Sequence, residues 1–162
     1  MFRGLIAFLF IATALYAQDH STWRDYGGAS DSAQYSALTQ ITPKNVDQLE
    51  IAWTYPTADG RKYFFNPLMV DGTLYVLAKN NSIVALNAAT GKEIWTYSMT
   101  PAPTIITNRG LNYWESKDHR DRRLLFCANH ALRAIDAQTG KAITTFGDNG
   151  SVDLKQGLGR DP

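Results

Sequence analysis

The chain is short of the residues that build covalent or metal-bound sites. Its 162 residues include a single cysteine, Cys127, so no disulfide can form within the chain. That cysteine lies in the apolar run 124–128, where a free cysteine usually behaves as a small buried hydrophobe. The three histidines, His20, His119 and His130, have no metal-ligand spacing with the cysteine or with one another. Neither a catalytic thiol nor a zinc site is therefore expected.

A strong charge of one sign is also missing. The formal net charge is +1 at pH 7, which gives no reason to expect nucleic acid or an anionic membrane surface as a partner. The basic cluster 117–123 is interleaved with acidic residues and lies between apolar runs, as expected of a solvated loop. We predict that the chain binds no nucleic acid.

The chain has one long apolar run, Gly4–Tyr16, which follows the basic residue Arg3. This run is shorter than the roughly 20 residues that a membrane-spanning helix needs. The small residue Ala17 then precedes a polar stretch, and this order is typical of a secretory signal peptide, with Ala14 as an alternative cleavage site. We therefore predict a signal peptide over residues 1–17, a periplasmic or secreted protein, and no transmembrane segment in the mature chain.

An internal repeat organises the rest of the sequence. Residues 73–97 align without gaps with residues 122–146, and Gly91 and Gly140 give the offset, 140 − 91 = 49 residues. Each copy has two apolar runs, a Thr-Gly-Lys turn and a third run that ends in an aromatic residue. Self-similarity at a period of this length is the sequence signature of a repeat architecture.

Each copy predicts four short antiparallel strands. The predicted strands are 66–71, 74–78, 83–87 and 93–97 in the first copy and 111–115, 123–127, 132–136 and 142–146 in the second. Asp71-Gly72 favours a type I′ hairpin turn, and the side chains of Asn87 and Asp136 are placed to bond the backbone of the Thr-Gly turns. Four strands per repeat describe a β-propeller blade. A sandwich or a β-solenoid is the alternative, but neither predicts a Thr-Gly-Lys turn at a fixed offset.

The segment before the first copy ends in a solitary strand pattern. Trp53-Thr-Tyr repeats the Trp95-Thr-Tyr of the first copy, but no Thr-Gly-Lys turn precedes it. We interpret it as the outer strand of a blade whose other strands the chain does not contain. Further upstream, Thr42 as N-cap and Pro43 at the first helical position predict a short helix that ends near Leu49.

The repeats resemble the tryptophan-docking blades of quinoprotein dehydrogenases that use pyrroloquinoline quinone (PQQ). Blades of that family tend to read Ala-x-Asp-x-x-Thr-Gly-x-x-x-Trp. Residues 85–95 follow this pattern with Asn87 in place of aspartate, and residues 134–144 follow it with Thr144 in place of tryptophan. The similarity extends to residues 23–55, 108–114 and 146–154. It implies an all-β fold, an eight-bladed β-propeller of four-stranded antiparallel blades, of which this chain would supply about two blades and one orphan outer strand.

The resemblance also implies one cofactor contact. The family's arginine in the motif Arg-Gly-hydrophobic-x-Tyr contacts PQQ, and Arg109 matches it. A planar guanidinium can engage the carboxylates or the quinone oxygens of PQQ with two hydrogen bonds at once. The family's Ca²⁺ ligands and catalytic aspartate lie in later blades, so no catalytic residue and no metal ligand is predicted within this chain.

Two departures from the family pattern concern the cofactor site. Many relatives carry a glutamate three residues before the proline that opens the first blade; with Pro67 as that proline, this chain has Phe64. Many alcohol dehydrogenases of the family also have adjacent cysteines just before the arginine motif. Residues 101–107 contain none, so that cysteine ring cannot form.

The sequence is thus divided into a signal peptide, 1–17; an opening segment with the ring-closing strand, 18–60; a blade, 61–100; and a second blade with the start of the next connection, 101–162. The resemblance implies the N-terminal part of an exported oxidoreductase that uses PQQ and Ca²⁺. The parent enzyme would oxidise an alcohol or a sugar and pass electrons to a quinone or cytochrome c, while this part alone would be inactive. The alternative is a non-catalytic propeller that serves as a binding or assembly scaffold.

Overall fold

The computed structural model describes residues 20–102, 106 and 110–159. They form two four-stranded antiparallel sheets, each with its strands in chain order. Blade 1 consists of β1 (Leu68–Val70), β2 (Thr73–Ala78), β3 (Ser82–Asn87) and β4 (Glu93–Tyr97), and blade 2 of β5 (Asn112–Glu115), β6 (Arg122–Ala128), β7 (Ala131–Asp136) and β8 (Ser151–Asp153). The prediction of four-stranded antiparallel blades is confirmed.

The turns form where the sequence supplies residues that tolerate positive φ. Asp71 and Gly72 have φ of 47° and 75°, as the type I′ prediction requires, and they join β1 to β2. In the Thr-Gly turns, Asn87 Oδ1 accepts hydrogen bonds from the backbone of Ala89 and Thr90, at 3.1 and 3.0 Å, and from the Thr90 hydroxyl at 3.0 Å. Asparagine thus replaces the family's aspartate without losing an acceptor.

The fourth strand of blade 2 is not where the repeat predicted it. Residues 142–146 form no strand; β8 pairs with β7 instead, with Ser151 opposite Arg133. The backbone N–H of Ile143 donates to Ala134 O at 3.0 Å, and the N–H of Ala134 donates to Gly150 O at 3.4 Å. The chain therefore pairs with β7 only at Ala142 and Ile143, leaves the sheet over residues 144–149 and returns at Gly150, whose φ of 86° permits the re-entry.

The ungapped alignment of the two repeats is also wrong by one residue over part of its length, where β2 is aligned with β6. In blade 1, Leu77 of β2 pairs with Ile83 of β3, whereas in blade 2 Cys127 pairs with Leu132. Three residues, 79–81, join the first pair of strands, but only 129–130 join the second. The structural equivalent of Leu77 is therefore Cys127 rather than Phe126. One deleted turn residue shifts the alignment of β2 with β6 and leaves that of β3 with β7 intact.

The predicted short helix is reduced to a single 3₁₀ turn, Val46–Gln48. Thr42 does not cap it; the Thr42 Oγ1 accepts from the Lys44 backbone at 3.3 Å and so supports the preceding turn. Asn45 occupies the N-cap position without a side-chain hydrogen bond to the helix, because its Oδ1 accepts from Thr42 and its Nδ2 donates to Gln40 O. No residue of the 3₁₀ turn is buried, so packing does not extend the helix.

The main core lies between the two blades. It contains buried residues of both sheets and of the loop between them: Leu68, Val70, Tyr75, Leu77, Ile83, Ala85, Ile106, Leu111, Leu124, Phe126, Ala128, Ile135 and Ala137. Side chains alternate across each strand, so Leu74 and Val76 point away from blade 2. A smaller cluster covers that outward face of blade 1, where Trp53 and Tyr55 of the opening segment pack against Val84 and Leu86.

The two ends of the blades carry different features. At one end, here called the connection end, the inner strands β1 and β5 begin and the turns 79–81 and 129–130 lie. At the other, here called the docking end, lie the Asp71-Gly72 turn and the two Thr-Gly turns. The opening segment reaches the inner strand of blade 1, since Trp23 and Met69 exchange backbone hydrogen bonds of 3.0 and 2.8 Å.

Candidate functional site

At the docking end, Trp95 of blade 1 packs on the Thr-Gly turn of blade 2. A Cβ on residue 140 would lie 2.6 Å from the Trp95 ring, so only glycine allows the indole to approach this closely. The φ of 69° at Gly140 also favours glycine. Trp95 is partly buried against the interblade core, with its ring centroid 5.9 Å from that of Tyr75. The tryptophan therefore joins two successive blades.

Trp53 of the opening segment makes the same contact one blade earlier. A Cβ on residue 91 would lie 2.6 Å from the Trp53 ring, and Trp53 Nε1 donates to Ala88 O at 3.0 Å. Residues 51–57 are not part of a β-strand. The sequence predicted an outer strand here; the described residues form none, but the Trp53 ring is seated on Gly91.

A hydrogen-bonded cluster fixes that solitary segment to the outer strand of blade 1. Glu93 Oε2 accepts from the Tyr55 hydroxyl and from Lys79 Nζ, both at 2.6 Å, and Glu93 Oε1 accepts from the Thr96 hydroxyl at 2.7 Å. Hydrogen bonds from Lys79, Tyr55 and Thr96 lower the pKa of Glu93 from 4.5 to about 2. Sequence reasoning missed this cluster because its members are up to 38 residues apart.

The connection end carries the glycine of the arginine motif. Arg109 itself lies outside the described residues, so its role stays a prediction. Gly110, which follows it, is buried with φ of 74°, and a Cβ there would lie 3.0 Å from Asn66 O and 3.6 Å from Phe65 Cβ. The glycine of the arginine motif therefore lies directly against the segment that leads into the inner strand of blade 1.

Phe64, the residue that stands where relatives carry glutamate, belongs to that same segment. It is 74% exposed, whereas the neighbouring Phe65 packs against the interblade core. Arg61 and Lys62, just before it, are also exposed. The glycine of the arginine motif thus lies against the segment that carries an exposed aromatic residue, whereas Arg61 lines the groove between the opening segment and the outward face of blade 1.

The loop before Phe64 is tied to the turn between β2 and β3. Asp59 Oδ2 accepts from the Asn80 backbone N–H at 2.6 Å and also from the Tyr63 hydroxyl. The hydrogen bond from Tyr63 is the main cause that lowers the pKa of Asp59 below 3.8, while burial and then the bond to Asp59 raise the pKa of Tyr63. No motif in the sequence pointed to this contact.

Glu115 anchors the opening segment to blade 2. Its side chain, 13% exposed, accepts from Arg24 Nη1 at 2.9 Å and from the Tyr113 hydroxyl at 3.0 Å, and lies 3.1 Å from His119 Nδ1. Burial by itself would raise the pKa of Glu115, but hydrogen bonds from His119, Tyr113 and Arg24 keep it below 4.5. The opening segment is thus held to blade 2 through Arg24 and to blade 1 through Trp23.

Metal ligands are not gathered in the described part of the chain. Among residues 20–102, 106 and 110–159, no group of three or more His, Cys, Asp or Glu side chains could hold an ion. Within the same ranges, no helix is long and apolar enough to cross a membrane.

The sequence profile of the family "PQQ: Glucose/ethanol/alcohol dehydrogenase, beta-propeller domain" matches residues 23–162. The chain belongs to this family. It is 33% identical over 155 residues to the glycerol dehydrogenase large subunit of Gluconobacter oxydans, an alignment that covers 85% of this chain and 21% of that protein. It is 33% identical over 128 residues to the 1-butanol dehydrogenase (cytochrome c) of Thauera butanivorans, covering 75% of this chain and 18% of that one.

A solved structure from the same family has a similar fold. The quinohemoprotein alcohol dehydrogenase of Comamonas testosteroni superimposes on 87% of this chain with a TM-score of 0.68 and 29% identity, using 20% of its own length. The chain therefore spans about a fifth of the length of the PQQ dehydrogenases it matches. Its two sheets are an incomplete piece of a β-propeller, as the repeat predicted.

Proposed function

We propose that this chain supplies two blades and one outer strand to an exported PQQ-dependent dehydrogenase that oxidises an alcohol or a sugar. The observation that carries the proposal is the family match over residues 23–162. The seated tryptophans support it, because Trp53 on Gly91 and Trp95 on Gly140 are the contacts that the blade pattern of this family requires. The proposed activity belongs to a complete propeller, which a fifth of its length does not form.

The residues at the connection end fit an anionic, planar cofactor. PQQ carries three carboxylates and an ortho-quinone, and when bound it supplies the two-electron acceptor for oxidation of the substrate. In our proposal Arg109 binds its oxygens with a bidentate guanidinium. Exposed Lys62 adds positive charge two residues before Phe64, and Gly110 allows close approach of the arginine motif to Asn66.

Phe64 changes one part of that site. A carboxylate at this position would accept hydrogen bonds and offset the charge of Arg109, and a phenyl ring does neither. The chain therefore presents a more apolar and more cationic surface at this point than relatives with glutamate. We infer that the anionic groups of PQQ meet less repulsion here.

The metal, the electron acceptor and the location complete the proposal. A Ca²⁺ ion beside PQQ would polarise the quinone carbonyl, and its ligands would come from blades outside this chain. A quinone or cytochrome c would accept the electrons; the Thauera relative is a 1-butanol dehydrogenase (cytochrome c). Residues 1–17 would direct export to the periplasm or beyond, and this stretch lies outside the described residues.

The test is reconstitution of the complete product of the reading frame. With PQQ and Ca²⁺ added, the protein should reduce an artificial redox dye in the presence of at least one member of a panel of primary alcohols, polyols and aldoses. A sample without PQQ serves as the control and should be inactive. No PQQ-dependent dye reduction with any of these substrates contradicts the proposal.

A further inference from the structure

Two side chains hold the loop 59–63 onto the turn between β2 and β3. The backbone N–H of Asn80 donates to Asp59 Oδ2 at 2.6 Å and to the Tyr63 hydroxyl oxygen at 3.1 Å, and the N–H of Asn81 reaches the same oxygen at 3.4 Å. Tyr63 in turn donates to Asp59. The Asp59 carboxylate and the Tyr63 hydroxyl therefore bind the turn as one unit.

The turn that they hold is well defined. Lys79, Asn80 and Asn81 all have positive φ, between 49° and 61°, a conformation that non-glycine residues rarely adopt in succession. A second contact links the same pieces, since the Lys79 N–H donates to Thr57 O at 3.1 Å. The loop before β1 and the β2–β3 turn are thus fixed to each other on both sides of Asp59.

The residues after Tyr63 are held as well. Phe65 packs against the interblade core. Asn66 Nδ2 donates to Tyr26 O at 2.8 Å, and Asn66 O faces Gly110. Phe64 therefore stands between two fixed points, Tyr63 on one side and Phe65 with Asn66 on the other, and its ring is exposed at the connection end.

We propose that Asp59 and Tyr63 are positioning residues for the cofactor site: by holding the loop to the β2–β3 turn, they set the place of Phe64 and of the contact between Asn66 and Gly110. The inference rests on the proposed function, because the site they arrange is the one that would receive PQQ. Neither residue needs to touch the cofactor. Their effect passes through the backbone of residues 63–66 to the glycine that follows Arg109.

A matched control exists within blade 1. Tyr75 donates its hydroxyl to Ala137 O at 3.1 Å, and this hydrogen bond joins β2 to the Thr-Gly turn of blade 2 at the docking end. Tyr75→Phe and Tyr63→Phe each remove a single hydroxyl from a hydrogen bond, and only the second alters the connection end.

The experiment measures PQQ binding by the complete product of the reading frame, through quenching of tryptophan fluorescence, together with urea unfolding. We expect Tyr63→Phe to weaken PQQ binding about threefold to tenfold, the equivalent of one net hydrogen bond, and Asp59→Ala to weaken it at least as much. Tyr75→Phe should leave binding unchanged while shifting the unfolding midpoint to a similar extent. Hydrogen exchange at Asn80 and Asn81 should speed up only in the Asp59 and Tyr63 variants.

Each result has a separate meaning. If the unaltered protein binds PQQ and Tyr63→Phe binds it as tightly as Tyr75→Phe does, the positioning role is wrong while the proposed function stands. If both tyrosine variants weaken binding equally, the effect is general stability and the positioning role is again wrong. If the unaltered protein does not bind PQQ at all, the proposed function fails, and the positioning role fails with it.

Discussion

Blade 1 and blade 2 share a Thr-Gly turn but differ in the strand that follows it. After the first turn, β4 runs unbroken through Trp95 to Tyr97. After the second, the chain leaves the sheet beyond Ile143, passes Thr144 and returns only at Gly150 to form the three-residue β8. The two turns agree through local hydrogen bonds, whereas the outer strand is regular only in blade 1, where its tryptophan packs on the next blade.

The comparison separates local from interblade determinants. Asn87 and Asp136 each use one side-chain oxygen to accept three hydrogen bonds, so the turns agree although the residues differ. Trp95 is kept in a regular strand where its ring reaches Gly140 on blade 2. Thr144 has no ring to place, and the chain departs from the sheet at that residue. Docking and strand regularity are thus lost together.

The largest effect is expected from Trp95→Ala. This change removes the ring that packs on Gly140 and against Tyr75, so it should lower the free energy of unfolding by about 3–5 kcal/mol, the usual cost of such a truncation in a core. Thr144→Ala, the equivalent change in blade 2, should cost less than about 0.5 kcal/mol because Thr144 is exposed. Urea unfolding of both variants checks the difference. Similar losses for the two would show that the outer strands are not distinguished by docking.

Gly140→Ala tests the same docking contact through the glycine on which the Trp95 ring packs. Gly140 and Gly72 have similar φ, 69° and 75°, so alanine strains the backbone at both. A Cβ at residue 140 would meet Trp95 at 2.6 Å, whereas at residue 72 no atom lies within 4 Å. Gly140→Ala should therefore destabilise by about 1–3 kcal/mol more than Gly72→Ala. Equal midpoints for the two variants in thermal or urea unfolding would mean that the Trp95 ring moves to accommodate the methyl group with no loss of stability.

A smaller effect is expected at the residues that support the turns. Asp136→Ala removes an acceptor of three hydrogen bonds and should cost about 1 kcal/mol in an exposed turn. Asp136→Asn should cost only about 0.3 kcal/mol, because the Asn87 side chain accepts the equivalent hydrogen bonds in blade 1. Unfolding of the two variants in urea decides this point; a large loss for Asp136→Asn would show that the charge, and not the geometry, supports the turn.

The smallest effect concerns pH. Because the pKa of Glu93 falls from 4.5 to about 2 in the folded chain, its cluster contributes stability above about pH 4.5 that is lost as the pH falls towards 2. The side chains are 35–38% exposed, so the contribution should stay below about 1 kcal/mol. The difference in unfolding free energy between the unaltered chain and Glu93→Gln should shrink as the pH falls from about 4.5 towards 2. A difference that does not vary with pH would contradict the assignment.

Local patterns made much of the fold predictable. The hairpin at Asp71-Gly72, the two Thr-Gly turns and the strands β2, β3, β4 and β7 follow from residues close together in the chain, and their bounds agree to within a residue. The solitary Trp53 was found for the same reason. The missing strand at 142–146 and the shifted alignment of β2 with β6 were not predictable. A looped-out outer strand and a turn shortened by one residue have no signature in the neighbouring sequence.

Contacts between residues far apart in the chain were less accessible to sequence reasoning. Asp59 and Asn80 are 21 residues apart, and Arg24 and Glu115 are 91 apart, so only the folded chain brings them together. The family motif pointed to Arg109, and the structure adds the neighbours of the glycine that follows it.

PQQ binding by the Arg109→Ala variant of the complete product tests the account most directly. Because the guanidinium would make charge-assisted hydrogen bonds to the cofactor, the loss should raise the dissociation constant for PQQ about tenfold to a hundredfold. Arg120→Ala, which alters an exposed arginine at the docking end, should leave it unchanged. Equal affinities for PQQ in the two variants would contradict the claim that the arginine between the blades is the cofactor residue of this chain.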